Sequence, residues 1–142
     1  MMATKFDIAA FLAQEFPHTH ATVESVGNRS AVVRREIGME ELRPGGTVSG
    51  PTLMAVADLA LYVAIFGEIG IVPMAVTTSL NINFLRRPSA SAAVVGQCKL
   101  MKVGKSLVVG EVSLFSEGEP EPIAHVVGTY SLPPGARPPA QA

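Results

Sequence analysis

The chain has 142 residues, 48% of them apolar and 16% charged, with a formal net charge of −1. That length suits one domain with a real core, and the near-neutral charge leaves no electrostatic footprint for a nucleic-acid partner. The apolar excess beside so thin a surface charge predicts apolar surface covered by a second subunit, and the single cysteine, Cys98, excludes an intrachain disulfide.

In chain order, Lys5–Phe16 reads as a short helix stopped by Pro17, with Ile8, Phe11, Leu12 and Phe16 on one face and Phe6, Ala9, Ala10 and Ala13 on another. His18 and His20 follow in a linker; no third ligand stands near, so no metal site is expected. Ala21–Val26 and Ser30–Ile37 are expected strands turning at Gly27-Asn28. Met39–Arg43 is an irregular connection. The loop Pro44-Gly45-Gly46-Thr47-Val48-Ser49-Gly50 leads into a helix from about Pro51 to Phe66, capped by Ser49 or Gly50. Its Leu53–Phe66 run is apolar except for Asp58 and shorter than the ~20 residues of a membrane span, so no membrane partner is expected. A helix apolar on all sides belongs inside a curved sheet. Four strands follow, at Ala75–Leu85, Ala92–Val103, Ser106–Phe115 and Pro122–Leu132, expected as a continuous antiparallel meander. Cys98 and His125 lie in these strands as packing residues. The fold class is α+β, one sheet with one dominant helix. The N-terminal stretch has no long apolar segment with a cleavage site, which with the lone cysteine favours the cytoplasm.

Asp58 is the costly residue. Its neighbours on the helix face, Met54, Ala55, Leu61 and Tyr62, include no cation. It is either a working acid or a structural one held by a backbone N–H or a strand hydroxyl. The glycine-rich loop leaves the first N–H groups of the helix open, at the positive end of its dipole, where they suit a carbonyl oxygen turning anionic. Loop and acid are ~12 Å apart along the axis, so one helix does not bring both to one carbonyl. Two chains across a twofold axis do, which predicts a homodimer with shared sites. Pairing of dimers into a homotetramer stays open.

Several stretches, in order and together spanning about Val23 to Leu132, resemble the hotdog-fold acyl-CoA thioesterases of the phenylacetate-pathway (PaaI-like) type. They are Gly46–Pro51, Ala57-Asp58, Thr77–Pro88, Gly104-Lys105-Ser106-Leu107 and Gly128-Thr129-Tyr130. The resemblance implies a hotdog fold, a curved antiparallel sheet wrapped around one long buried central helix. It places the hotdog domain over 21–132, after the helix and linker over 1–20 and before a proline- and alanine-rich stretch over 133–142 that reads as a flexible tail. The family's helix is preceded by His-Gly-Gly, with its acid nine positions after the His. Here Ser49-Gly50-Pro51 occupies the triplet and Asp58 the acid's place, so His and the second Gly are replaced. The implied roles are Asp58 as general base or nucleophile, the Gly50 N–H as oxyanion donor and Thr77 as the hydroxyl that orients water or the acid. Arg43 stands by count where some members have an Asn.

Substrate contacts are expected from Ser49, from Met54 and Tyr62 along the acyl chain, and from Arg86, Arg87, Lys102 and Lys105 at the coenzyme A phosphates. These four equally suit a charged sheet edge. The expected activity is hydrolysis of a small or medium acyl- or aryl-CoA, with the coenzyme A thioester as substrate and no cofactor. The second reading is a hotdog protein that binds acyl-CoA without turnover. A hotdog dehydratase ranks last, because no His lies in the loop or helix.

Overall fold

The computed structural model describes residues 2–136. Helix α1 (Lys5–Glu15) opens on a reciprocal cap: Asp7 N–H donates to Thr4 Oγ1 at 3.1 Å and Thr4 N–H to Asp7 Oδ2 at 3.0 Å. Of its two apolar faces, the one bearing Ile8 and Leu12 is buried, and Phe6 points to solvent. Phe11 packs edge-on against Phe66, so the N-terminal segment shares the domain's core.

Strands β1 (Ala21–Gly27) and β2 (Ser30–Arg35) form the expected hairpin, with its turn one residue later than predicted. Asn28 (φ 54°) and Arg29 (φ 59°) are both left-handed, as a two-residue hairpin turn requires. The connection at 39–43 is ordered: a 3₁₀ turn (Met39–Glu41) leads into β3 (Leu42–Arg43), which pairs with β4 (Thr47–Val48). Gly45 (φ 96°) and Gly46 (φ 76°) supply the reversal between them. Glu41 anchors this stretch from inside. Its carboxylate accepts the Gly38 N–H at 2.6 Å and lies 3.3 Å from Arg35 Nη1. The Gly38 amide, then the Arg35 charge, hold the carboxyl below the usual carboxylate range.

Helix α2 spans Gly50–Ile69, a turn longer than the sequence suggests. Gly67 does not end it. A Cβ there would stand 2.4 Å from Val26 Cγ2, so glycine marks a close crossing of β1 over the helix. At 20 residues and mean hydropathy 1.7, α2 is long and apolar enough to cross a membrane by length and composition, yet it is mostly buried within this domain. Burial is incomplete on one stripe: Pro51 and Ala55 are exposed, and Met54, Asp58 and Leu59 are half-buried.

The remaining strands are β5 (Val76–Phe84), β6 (Val94–Val103), β7 (Leu107–Ser116) and β8 (Ala124–Ser131). All pair antiparallel in the order β1-β2-β6-β7-β8-β5. The expected four-strand meander therefore holds only for β6-β7-β8. β5 leaves that run and pairs with β8 as an edge strand, while β6 closes the sheet onto β2. The helix lies close on the sheet because glycines line its bed. Gly110 and Gly128 face each other across β7 and β8, and a Cβ on either would come within 2.8 and 2.5 Å of the Leu61 methyls. Leu61 is thus wedged into a notch that side chains would fill. Beyond β8, Ala136 packs on the core and its N–H bonds Pro133 O at 3.2 Å; residues 137–142 of the expected tail lie outside the described residues.

Candidate active site

Asp58 lies half-buried on α2, with hydroxyls rather than cations around it. Thr77 Oγ1 of β5 donates to Asp58 Oδ1 at 2.7 Å, and Tyr130 Oη of β8 donates to the same oxygen at 2.7 Å. Tyr130 Oη also lies 3.1 Å from the Asp58 carbonyl oxygen. Among the described residues nothing donates to Oδ2.

A β-bulge explains how Thr77 reaches the acid. Along β5 the helix-facing positions are Phe84, Ile82 and Leu80, opposite Ala124, Val126 and Gly128. Strict alternation would continue with Thr78 and turn Thr77 outward. The register instead shifts between Thr77 and Ser79, so that Thr77 stands directly opposite Tyr130 and faces the helix with it. Tyr130 is the site residue that sequence reading did not single out. Its signals were its place in the family-like Gly128-Thr129-Tyr130 stretch, to which no role was attached, and a polar-tipped aromatic at an inward position of β8.

Asp58, Thr77 and Tyr130 line a cavity of about 540 Å³ together with Tyr62, Leu59, Val56, Pro73 and Val76. Phe16 from the end of α1 closes part of it, its ring 6.0 Å from that of Tyr62, which stacks in turn on Tyr130 at 6.1 Å. Tyr62 Oη donates to Pro73 O at 3.1 Å. Burial, then the Asp58 charge, push the Tyr130 phenol well above its ordinary range, and burial does the same more mildly at Tyr62. Both remain protonated hydrogen-bond donors.

The loop end of α2 is a separate place. Gly50, Arg43, Phe84, Arg86 and Arg87 line a second cavity of about 390 Å³ that shares no residue with the first. Ser49 caps the helix: its hydroxyl accepts Thr52 N–H at 3.3 Å and its carbonyl accepts Leu53 N–H at 3.2 Å. Pro51 has no N–H. Within the first turn, the Gly50 amide is the one without a partner among the described residues. Arg87 Nη2 donates to Gly45 O at 2.8 Å and tethers the loop, and Arg86 pairs with Glu121 at 3.0 Å.

The predicted residues therefore fall into two groups. Asp58, Thr77 and Tyr62 meet at one cavity, and Gly50, Arg43, Arg86 and Arg87 at the other. Ser49 is occupied as a cap. Met54 lies on the open stripe of α2 outside both cavities, and Lys102 and Lys105 sit at the β6–β7 turn, lining neither. Cys98 is buried, its thiol pushed up to about 12 by burial. His125 pairs with Glu111 at 2.9 Å on the outer face of the sheet. Among the described residues no three His, Cys, Asp or Glu side chains converge as a metal site would need.

A curved antiparallel sheet around a single core helix, with the helix acid facing a cavity, defines an enzyme of the hotdog class. The chain belongs to the thioesterase superfamily, whose match covers residues 45–123. A candidate thioesterase from Silicibacter sp. TM1040 is 35% identical, with 94% of this chain and 95% of that one aligned at a TM-score of 0.86. The PaaI protein of the Escherichia coli phenylacetic acid degradation operon is 20% identical, covering 89% and 92% at a TM-score of 0.73. A hypothetical thioesterase of Streptococcus pneumoniae TIGR4, solved with coenzyme A, is 16% identical, covering 80% and 86% at a TM-score of 0.71. These last two likenesses are of fold. A sequence comparison with curated proteins returns no match. The chain is a hotdog-fold member of that superfamily and a thioester hydrolase.

Proposed function

We propose that the protein hydrolyses acyl-CoA thioesters of small or medium acyl or aryl groups, in a site built from two copies of the chain. The observation that carries this is Asp58: one carboxylate oxygen is held by two hydroxyls, and the other is left free at the wall of a largely apolar cavity. A purely structural acid would account for the hydroxyl partners but leaves the free oxygen and the cavity unexplained.

Asp58 Oδ2 takes a proton from water as the water oxygen attacks the thioester carbonyl. The carbonyl electrons move to oxygen, where the Gly50 N–H of the partner chain stabilises the charge. The C–S bond then breaks, the thiolate leaves and takes the proton as free coenzyme A, and the carboxylic acid remains. Direct attack by Oδ2, giving a mixed anhydride that water then opens, uses the same groups. The acyl group lies among Tyr62, Leu59 and Val76, while Arg43, Arg86 and Arg87 beside Gly50 meet the coenzyme A phosphates. The reaction takes place in the cytoplasm and draws on no group beyond these side chains, one amide and water. Asp58 and Gly50 line two separate cavities and stand ~12 Å apart along one helix, which supports the two-chain site. So does the open stripe of α2.

The test is an acyl-CoA panel assayed with wild type and Asp58→Asn. Thiol release by wild type that falls by at least roughly a thousandfold in the variant supports the reading. Calorimetric binding with no thiol release would instead favour a non-catalytic acyl-CoA binder, a reading that the loss of the Pro51 N–H motivates.

A further inference from the structure

We infer that Tyr130 is a positioning residue that, with Thr77, fixes which oxygen of Asp58 reacts. The inference rests on the thioesterase reading above and adds to it a residue and a division of labour within the carboxylate.

A carboxylate on a free side chain presents two equivalent oxygens and rotates about its last bond. At Asp58 that equivalence is broken. Two hydroxyl protons converge on Oδ1, each at 2.7 Å, from strands β5 and β8. Tyr130 and Thr77 are cross-strand partners, so the sheet itself sets the spacing of the two donors. Tyr130 Oη also sits 3.1 Å from the Asp58 main-chain carbonyl, which ties the phenol to the helix backbone as well as to the side chain. Oδ2 has no donor among the described residues and is left for water or the thioester.

The phenol is suited to this work because it does not titrate away. It is 3% exposed, and burial and the facing carboxylate keep it protonated at working pH. Its ring is held by the stack on Tyr62. A threonine alone fixes one contact about which the carboxylate still swings; the second donor removes that freedom. The titratable and charged groups that face the acid are few. Among the described residues that line the cavity they are Tyr62 on its own helix, Tyr130 on β8 and Arg35 of β2, while β5 contributes the neutral Thr77. The hydroxyl does not need to touch the substrate to act.

The experiment is steady-state kinetics of Tyr130→Phe on an acyl-CoA that wild type hydrolyses. The variant keeps the ring and its stack. Loss of one hydrogen bond to a charged group predicts a kcat lower by roughly 10- to 100-fold with KM within about twofold of wild type. A kcat within twofold of wild type, or a KM that rises as far as kcat falls, overturns the inference. Should the variant fail to fold, 3-fluorotyrosine replaces both tyrosines, Tyr62 and Tyr130, in otherwise wild-type protein. The Tyr130 fluorine resonance should then shift on Asp58→Asn by more than that of Tyr62; a Tyr130 resonance indifferent to the substitution overturns the inference. If wild type hydrolyses no acyl-CoA, the thioesterase reading falls, while the fluorine comparison still decides whether Tyr130 holds the acid.

Discussion

Asp58 survives in an apolar helix because neutral donors, not a cation, receive it. An arginine in the same place would neutralise the acid and occupy both oxygens in a fork; two hydroxyls leave the charge in place and one oxygen free. Gly50 is an equally specific residue. It is the one first-turn position of α2 whose amide is neither capped nor replaced by proline. Ser49 has φ −68° and ψ 149°, a conformation that suits a residue preceding proline, and proline is tolerated at the first helical position. Gly50→Pro therefore deletes the N–H in a backbone that accepts proline, provided the Phe84 ring yields a little to the new Cβ, which would stand 3.3 Å from its Cζ. Its expected effect is a kcat roughly 10²- to 10³-fold lower, the ordinary worth of one oxyanion donor, with the circular dichroism spectrum of wild type. Wild-type kcat in a folded Gly50→Pro protein would remove the amide from the mechanism.

At the level of elements, the site depends on how α2 lies in its glycine bed. Gly128→Ala places a Cβ 2.5 Å from a Leu61 methyl and 3.0 Å from Leu80 Cδ1. Overpacking of this kind costs about 1–3 kcal/mol, so a lower melting temperature is expected in a thermal scan. Activity should fall with it, because the displaced helix carries Asp58; unchanged stability would show that the notch is slack. Much of this architecture was legible in the sequence. The all-apolar run around Asp58 marked the core helix, and alternation marked every long strand to within a few residues. What escaped was non-local. Nothing in Val76–Phe84 says that its partner is β8 rather than β6, because both present alternating apolar faces. The bulge beside Thr78 carries no glycine to announce it, so periodicity alone would have turned Thr77 away from the acid. The family likeness placed Thr77 where alternation would not have. Tyr130 was hidden for the same reason: its importance lies in a cross-strand pairing that only the register reveals. The role of Gly67 was hidden too, since a glycine that admits a neighbouring strand and one that merely stands near a helix end look alike in sequence.

Over the whole molecule, apolar surface stays open where a soluble monomer would cover it. The stripe of α2 bearing Met54, Ala55 and Leu59 is only partly shielded, and the edge strand β5 exposes Val76 and Phe84 at 53% and 55%. An unpaired apolar edge invites pairing with another chain. The two-chain site we propose would give that surface a purpose, and complementation tests it directly. Asp58→Asn and Gly50→Pro homodimers should each be inactive, since each lacks one half of both sites. Mixed by co-refolding, half of the dimers are hybrids with one intact site, so roughly a quarter of wild-type turnover should return. No recovery on mixing would place acid and amide within one chain.

The wedge of Leu61 between Gly110 and Gly128 has a further consequence for how such an enzyme diversifies. Leu61 stands three residues beyond Asp58, and Gly128 two residues before Tyr130. The contact that seats the helix therefore also sets the acid against its phenol, deep in the core. Phe16 at the end of α1, Leu59 on the open stripe of α2 and Val76 of β5 line the cavity without touching that notch. A lineage built on this plan is free to redraw the walls of the cavity, one substitution at a time, while Thr77 and Tyr130 keep their hold on the Asp58 carboxylate.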